Sequence, residues 1–503
     1  MNGRLKKIIL LALAVVLLVG VAQIQKALNH DRKELGLTRV EPLENAPPVL
    51  AFTTVALGGF RGLIANALWV RATELQEEDK YFEMAQLADW ITKLEPHYVQ
   101  VWLVQAWNMA YNISVKFKDF DDRWRWVQRG ISLLRDDGIR FNPNETLIYR
   151  ELSWFFQHKM GQNLDDANMT YKQEWLKEMN AVLGTNAASF AELLDPKTDE
   201  ARARYQRLTN IYKLDPVFME QLNERYGPLE WRLPEAHAIY WAAVGLERAR
   251  ENPTKVKQDD LMTLRRSIYQ SMQLSFHRGR LIWDPIMGGF DTGPNLDIVP
   301  KVSAAYEEMY RDEADPGQKD GIQRAHRNFL RDAVYFLYEN NRIAEALQWY
   351  RYIGEKYPEK PLLDGRPDTL PRNLTLDDYC ISRICEDVGE TSRDRVKAAI
   401  EGQIAKGYYA LIRGEDRRNA GYRALARILR EKYMKAIAGG ANDLRIGIPT
   451  VEETEKQVRD TLLDPERGWP VELRAALRAA LRMEPESAPS PSTNTPPAAA
   501  SAK

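Results

Sequence analysis

Along most of the chain apolar residues return at intervals of three and four, and strict apolar/polar alternation is rare, so the predicted elements are helices. The stretch from Ile343 shows the pattern: Ile343, Ala346, Leu347, Tyr350 and Ile353 share one face, Glu345, Gln348 and Arg351 lie elsewhere, and Pro358 follows as a stop. Two more helices are predicted between 392 and 437, broken at Gly414, with Ala398, Ala405, Tyr409 and Ile412 on the first and Tyr422, Ala426 and Leu429 on the second. The fold class that follows is all-α. One segment follows a different logic. Arg4, Lys6 and Lys7 precede an uncharged run from Ile8 to Gln25, 18 residues that would span about 27 Å against a bilayer core of about 30 Å. That run predicts an N-terminal transmembrane helix or signal segment, with residues 8–25 in the membrane and the N-terminus inside. Gly20 and Ala22 have the separation read by signal peptidase, so cleavage near Ala22, leaving a soluble periplasmic or secreted protein, is the alternative.

A second regularity is superimposed on the helical one. Pro96 is followed six residues on by Trp102, Pro143 by Tyr149, and Pro234 by Tyr240. Around these anchors, Tyr149, Leu152, Ser153 and Phe156 form a bulky, Leu, small, aromatic series. Lys159-Met160-Gly161 supplies a turn, and Ala167 and Tyr171 a small and aromatic pair. Trp102, Ala106 and Met109 repeat the series, with Gln105 where Leu is usual, and Leu68 and Ala72 stand 34 residues before Trp102 and Ala106. Ala333, Val334 and Leu337, a turn at Asn340-Asn341, then Ala346, Tyr350 and Pro358 give a later copy. In these features the chain resembles the tetratricopeptide repeat (TPR) superfamily over roughly 60–180 and 325–358, and its opening, Gly58-Gly59-Phe60-Arg61-Gly62 running into Leu68-Trp69 and then Ala88-Asp89-Trp90, is similar to membrane-anchored bacterial proteins of that type. The resemblance implies a superhelical stack of antiparallel helix pairs, a TPR-like α-solenoid, in which small residues let helix axes approach and stacking buries faces no single pair can bury. Residues 112–130 and 184–230 lengthen the unit and depart from the pattern.

The organisation expected is a signal anchor or signal peptide at 1–25, a Pro-containing linker at 26–57, and TPR-like repeats at 58–183. Degenerate helical repeats with insertions follow at 184–324, a C-terminal TPR-like region at 325–483, and a disordered Pro/Ser/Ala tail at 484–503. Composition supports a large folded body, with 44% hydrophobic and 28% charged residues. Seventy basic residues against 71 acidic ones leave a formal charge of -1, which argues against nucleic acid as the main partner. Cys380 and Cys385 lie about 140° apart on a helix, a poor spacing for a disulfide.

Candidate chemistry is sparse. HExxH, GxSxG, Walker A and CxxC patterns do not occur, and His30, His97, His158, His237, His277 and His326 lack ligand spacing. No catalytic residue, metal ligand or cofactor is therefore expected. Asp121-Asp122, Asp136-Asp137 and Asp165-Asp166 read as caps at turns and helix starts. The Asp284-Pro285, Gly288-Gly289 and 291–300 segment reads as an inter-helix loop, and Gly58-Gly59 to Gly62 as a flexible lead into the first helix.

The resemblance implies a protein-binding groove on the concave wall of first helices. Projected onto this sequence, its positions are Trp69, Leu103, Trp107, Tyr111, Arg150, Trp154 and His158, with Tyr335 and Tyr338 in the later repeat. Trp, Tyr and Arg there are either partner contacts or core packing. The expected function is a non-catalytic scaffold on the periplasmic side of the inner membrane, binding protein partners in an envelope assembly. The alternative is an exported α-helical toroid acting on polysaccharide, with tryptophans as a sugar platform.

Overall fold

The computed structural model describes residues 61–185, 187–251, 258–283, 290–363, 366–386, 392–437 and 448–485, with scattered positions between 17 and 31. Most of the proposed anchor at 8–25, the cleavage position Ala22, most of the linker and the tail beyond 485 lie outside the described residues. No helix among the described residues is long and apolar enough to cross a membrane.

The chain is mostly helical and divides into two compact units, residues 1–108 and 109–503. In the first unit, α1 (Arg61–Glu77) and α2 (Tyr81–Leu94) form a hairpin, and α3 (Val99–Trp107) packs on α2. Ala65, Ala88, Ile91 and Val101 make one core cluster, with Leu68 and Trp69 against it. Ala72, Leu75 and Met84 make another, covered by Tyr81, Leu87 and Val104. Small residues at 65, 72 and 88 let the helices approach.

The second unit contains α4 (Phe120–Ser132), α5 (Thr146–Trp154), α6 (Asn168–Leu183), α7 (Asp199–Asn210), α8 (Pro216–Tyr226), α9 (Pro234–Glu251), α10 (Gln258–Arg278), α11 (Val299–Asp312), α12 (Pro316–Glu339), α13 (Ile343–Lys356), α14 (Leu376–Glu386), α15 (Ser392–Ile412), α16 (Asp416–Ile437), α17 (Val451–Leu462) and α18 (Val471–Ala480). Their starts have local causes. Asp119 accepts hydrogen bonds from the Asp121 and Asp122 amides, Asp315 caps α12 ahead of Pro316, and Thr450 with Glu453 closes a reciprocal capping box on α17. The turn between α12 and α13 places Asn341 at φ 60°, and that between α15 and α16 places Gly414 at φ 71°, conformations these two residue types tolerate best.

Many of the residues expected to be interior are buried, among them Tyr149, Leu152, Ser153, Phe156, Ala167, Tyr171, Ala333, Val334, Leu337 and Ala346, but Ile343 and Leu347 of the face read on α13 are exposed, and on α15 the buried residues are Val396, Ala399, Ile400, Ile404 and Ala410, with Ala398, Ala405, Tyr409 and Ile412 only half-buried. Their partners are less local than a 34-residue repeat implies. The extensive contacts of α5 are with α9 and then α10, while α6 packs on α7, on α4 and on the wide turn that follows α5. Small residues make that crossing possible. Ser153 Oγ donates to Ala238 O on α9 (2.8 Å) and lies 3.1 Å from Ser267 Oγ on α10. A Cβ on Gly245 would come within 2.9 Å of Tyr149 Cβ. The segment 184–230, which departs from the repeat pattern in sequence, lies between α5 and these partners along the chain.

The Gly/Pro/Asp stretch is more than a plain loop. Arg280–Trp283 and Phe290–Gly293 pair as a two-stranded antiparallel ribbon, Trp283 opposite Phe290. Strands of four residues are too short to display alternation in sequence. Positions 284–289 and 58–60 lie outside the described residues.

Candidate functional site

Helix α5 continues without a break into a π-helical turn, Phe155–Met160, a widening often found where side chains must be re-aimed. Arg150, Glu151, Trp154 and His158 fall on its half-buried side, while Tyr149, Leu152, Phe155 and Phe156 point into the core. The Trp154 and His158 rings are parallel, 4.4 Å apart at 11°. Tyr111 closes the cluster: its hydroxyl is 3.1 Å from His158 Nδ1 and its ring meets Phe155 edge-on at 5.7 Å.

Behind these rings lies a charged layer. Lys159 Nζ sits 5.0 Å from the Tyr111 ring centroid and donates to Asp165 Oδ2 (2.6 Å). Asp165 also accepts from Tyr171 OH (3.1 Å), the Ala167 amide (2.9 Å) and Arg123 Nη1 (3.3 Å). Burial opposes ionisation of Asp165, yet Lys159 and the Ala167 N–H hold its carboxyl below the ordinary range. Burial pushes the Lys159 ammonium and the His158 imidazole down and the Tyr111 phenol up. Glu151 is the outlier. Burial raises it to about 7 with only Arg150 opposing, and no hydrogen bond or ion pair to it is found among the described residues.

The nine groove residues expected from sequence separate into groups. Tyr111, Trp154 and His158 meet in this cluster, with Arg150 beside it. Trp69, Leu103 and Trp107 belong to the first unit, where Trp69 is half-buried 5.9 Å from Tyr98, Leu103 is 7% exposed and Trp107 is 40% exposed. Tyr335 lies under the Arg383 guanidinium, 5.4 Å from its ring centroid, and Tyr338 is 2% exposed with its hydroxyl donating to Asp377 (2.7 Å). Leu103 and Tyr338 are therefore core side chains, and a partner cannot touch them without opening the fold. Glu151 was missed by the sequence reading, although its position three before Trp154 and seven before His158 puts it on the same face.

Comparison with known protein families, curated proteins and solved structures finds no match. The site is thus read from its own chemistry. Among the described residues no group of three or more His, Cys, Asp or Glu is arranged to hold a metal ion. His237 and His326 are buried and serve packing: His237 lies between the Phe156, Trp175 and Trp231 rings, and His326 lies 3.0 Å from Ser303 Oγ and 2.9 Å from Tyr357 OH. The acid pairs differ from one another. Asp121 and Asp122 begin α4 as expected, whereas Asp136 lies beyond its end and takes both nitrogens of Arg135 at 2.8 Å, and Asp165 is the hub described above.

A cleft of about 550 Å³ lies on the other side of α5, where Tyr149 stacks on Trp241 at 6.5 Å and the loop at Lys213 forms one wall. Lys213 is held at φ 54°.

Proposed function

We propose that this chain is a non-catalytic protein-binding scaffold, built from stacked helix pairs of the tetratricopeptide type and tethered to a membrane through residues 8–25, with its body outside the cytoplasm. The observation that carries the binding reading is the grouping of Tyr111, Trp154 and His158 around the unpaired Glu151 on one half-buried face. Large rings that remain in part accessible, beside a carboxylate with no partner, are suited to receive an apolar and a cationic side chain from another protein. The anchor rests on the apolar run and its basic flank alone.

The test uses a photo-crosslinking amino acid at position 150 in the full-length chain in its own cells. The captured protein is identified, purified and titrated against the scaffold. Trp154→Ala is expected to weaken that binding at least tenfold while leaving the helical signal and melting temperature of the scaffold in place. Unchanged affinity in a folded Trp154→Ala variant rejects the site.

The enzymatic alternative has one observation in its favour, since a carboxyl held near neutrality beside a tryptophan is what a general acid in glycan hydrolysis requires. Turnover of a polysaccharide that Glu151→Gln abolishes would establish it in place of the scaffold.

A further inference from the structure

Away from the α5 face, the N-terminal half of α10, the C-terminal half of α11 and the first turns of α12 enclose a pocket of about 330 Å³. That is the small end of the range for ligand sites, about 300 to 1,000 Å³. Met262, Tyr269, Met309 and Ile322 line it and each stays partly in contact with water. Tyr306 forms the floor, stacked on Tyr269 at 6.5 Å and 19° and bonded to Gln273. Apolar side chains left wet around a concavity are surface available to a ligand, and the two methionines can adjust to its outline.

The rim carries both signs of charge on different helices. Arg265 and Arg266 stand on α10, and Asp312 and Glu313 at the end of α11. Among the described residues no ion pair joins the two sets. Arg266 donates to the neutral Gln318 Oε1 (3.2 Å), and Glu313 accepts from the Ala314 and Asp315 amides. Asp312 ends α11, where the helix dipole disfavours a carboxylate. A positive wall and a negative wall thus line one pocket, and among the described residues neither set has an ion-pair partner.

We infer that this pocket binds a short zwitterionic peptide with apolar side chains, its carboxylate on Arg265 and Arg266, its ammonium on Asp312 and Glu313, and its side chains against Met262, Met309 and Tyr306. This site is independent of the groove proposed above. Both termini must be free, because each charged wall takes one of them.

Calorimetric titration of the full-length protein, purified in mild detergent, with Leu-Phe, N-acetyl-Leu-Phe and Leu-Phe amide tests it. Leu-Phe is expected to bind, and each blocked form to bind about tenfold more weakly. Asp312→Asn should weaken Leu-Phe by a similar factor and leave N-acetyl-Leu-Phe unchanged, because that ligand has no ammonium to lose. Gly321 borders the pocket, and a Cβ there would meet nothing within 4 Å. Gly321→Trp should therefore occupy the mouth and abolish binding without changing the melting temperature. No binding of Leu-Phe at millimolar concentration, equal binding of all three compounds, or full binding by a folded Gly321→Trp protein overturns the inference.

Discussion

The recurring six-residue step from proline to a ring has a direct cause in two of its three occurrences. Trp102 Nε1 donates to Pro96 O at 2.9 Å and Tyr149 OH to Pro143 O at 2.7 Å, so the ring ties the incoming loop to the helix it starts. At the third, Tyr240 turns aside and accepts from the Asp215 amide at 2.9 Å, while His237 takes the equivalent contact, 2.7 Å to Trp231 O six residues before it. Tyr149→Phe should therefore cost about 1 kcal/mol, read from urea unfolding, because the part-buried hydrogen bond to Pro143 O is lost while the packing of the ring stays. Lys213 is held at φ 54°. A β-carbon in that region costs on the order of 1 kcal/mol, so Lys213→Gly is expected to raise stability by about that amount. A loss of stability instead would mean that the lysine side chain has a structural partner.

Helices α5, α9 and α10 meet through side chains chosen for size. Ser153 reaches both neighbours, and Gly245 leaves room for Tyr149, so an added methyl must push a ring attached to another helix. Gly245→Ala gains helix propensity of about 1 kcal/mol but is expected to destabilise by a net 1 to 2 kcal/mol, since overpacking at such a crossing outweighs propensity. The same substitution at Gly402, where a Cβ would meet nothing within 4 Å, should stabilise. Comparing the two melting temperatures separates close approach from backbone entropy. The spacing of the series at 149–156 made the buried face of α5 legible. It did not disclose α9 as the partner, because periodicity says which side of a helix is covered and is silent on what covers it.

Across the molecule, buried ionisable groups act on stability in opposing directions. Burial lowers His237 and His326 to about 4 from an ordinary 6.5, so both stay neutral when folded. Their contribution is complete above pH 6.5 and is lost as pH falls towards 4, because the unfolded chain takes up the protons first. Glu151, raised to about 7 from 4.5, works the other way: its contribution is complete below pH 4.5 and is lost as pH rises through 7. Urea midpoints of Glu151→Gln should therefore climb relative to the unmodified protein between pH 4.5 and 7, by at most about 1.4 kcal/mol per pH unit, and then level off. His326→Gln should show the reverse dependence between pH 6.5 and 4. A difference independent of pH in either variant would mean that the group titrates normally.

Local pattern alone marks the chain as helical, places many helix starts and stops, and identifies the inward face of α5, because apolar spacing, caps and turn residues act within a few positions of one another; on α13 and α15 the covered face differs in part from the one that spacing suggests. It also supplied the apolar run at 8–25 and, through ring and small-residue spacing, the face that holds Trp154 and His158. Long-range packing alone brings α5 onto α9 across residues 184–230, buries Leu103 and Tyr338, takes Glu151 from solvent, and sets Arg265 and Arg266 of α10 with Asp312 and Glu313 around one pocket. Burial and electrostatics at a residue depend on atoms brought from distant parts of the chain, and local pattern carries no record of that distance.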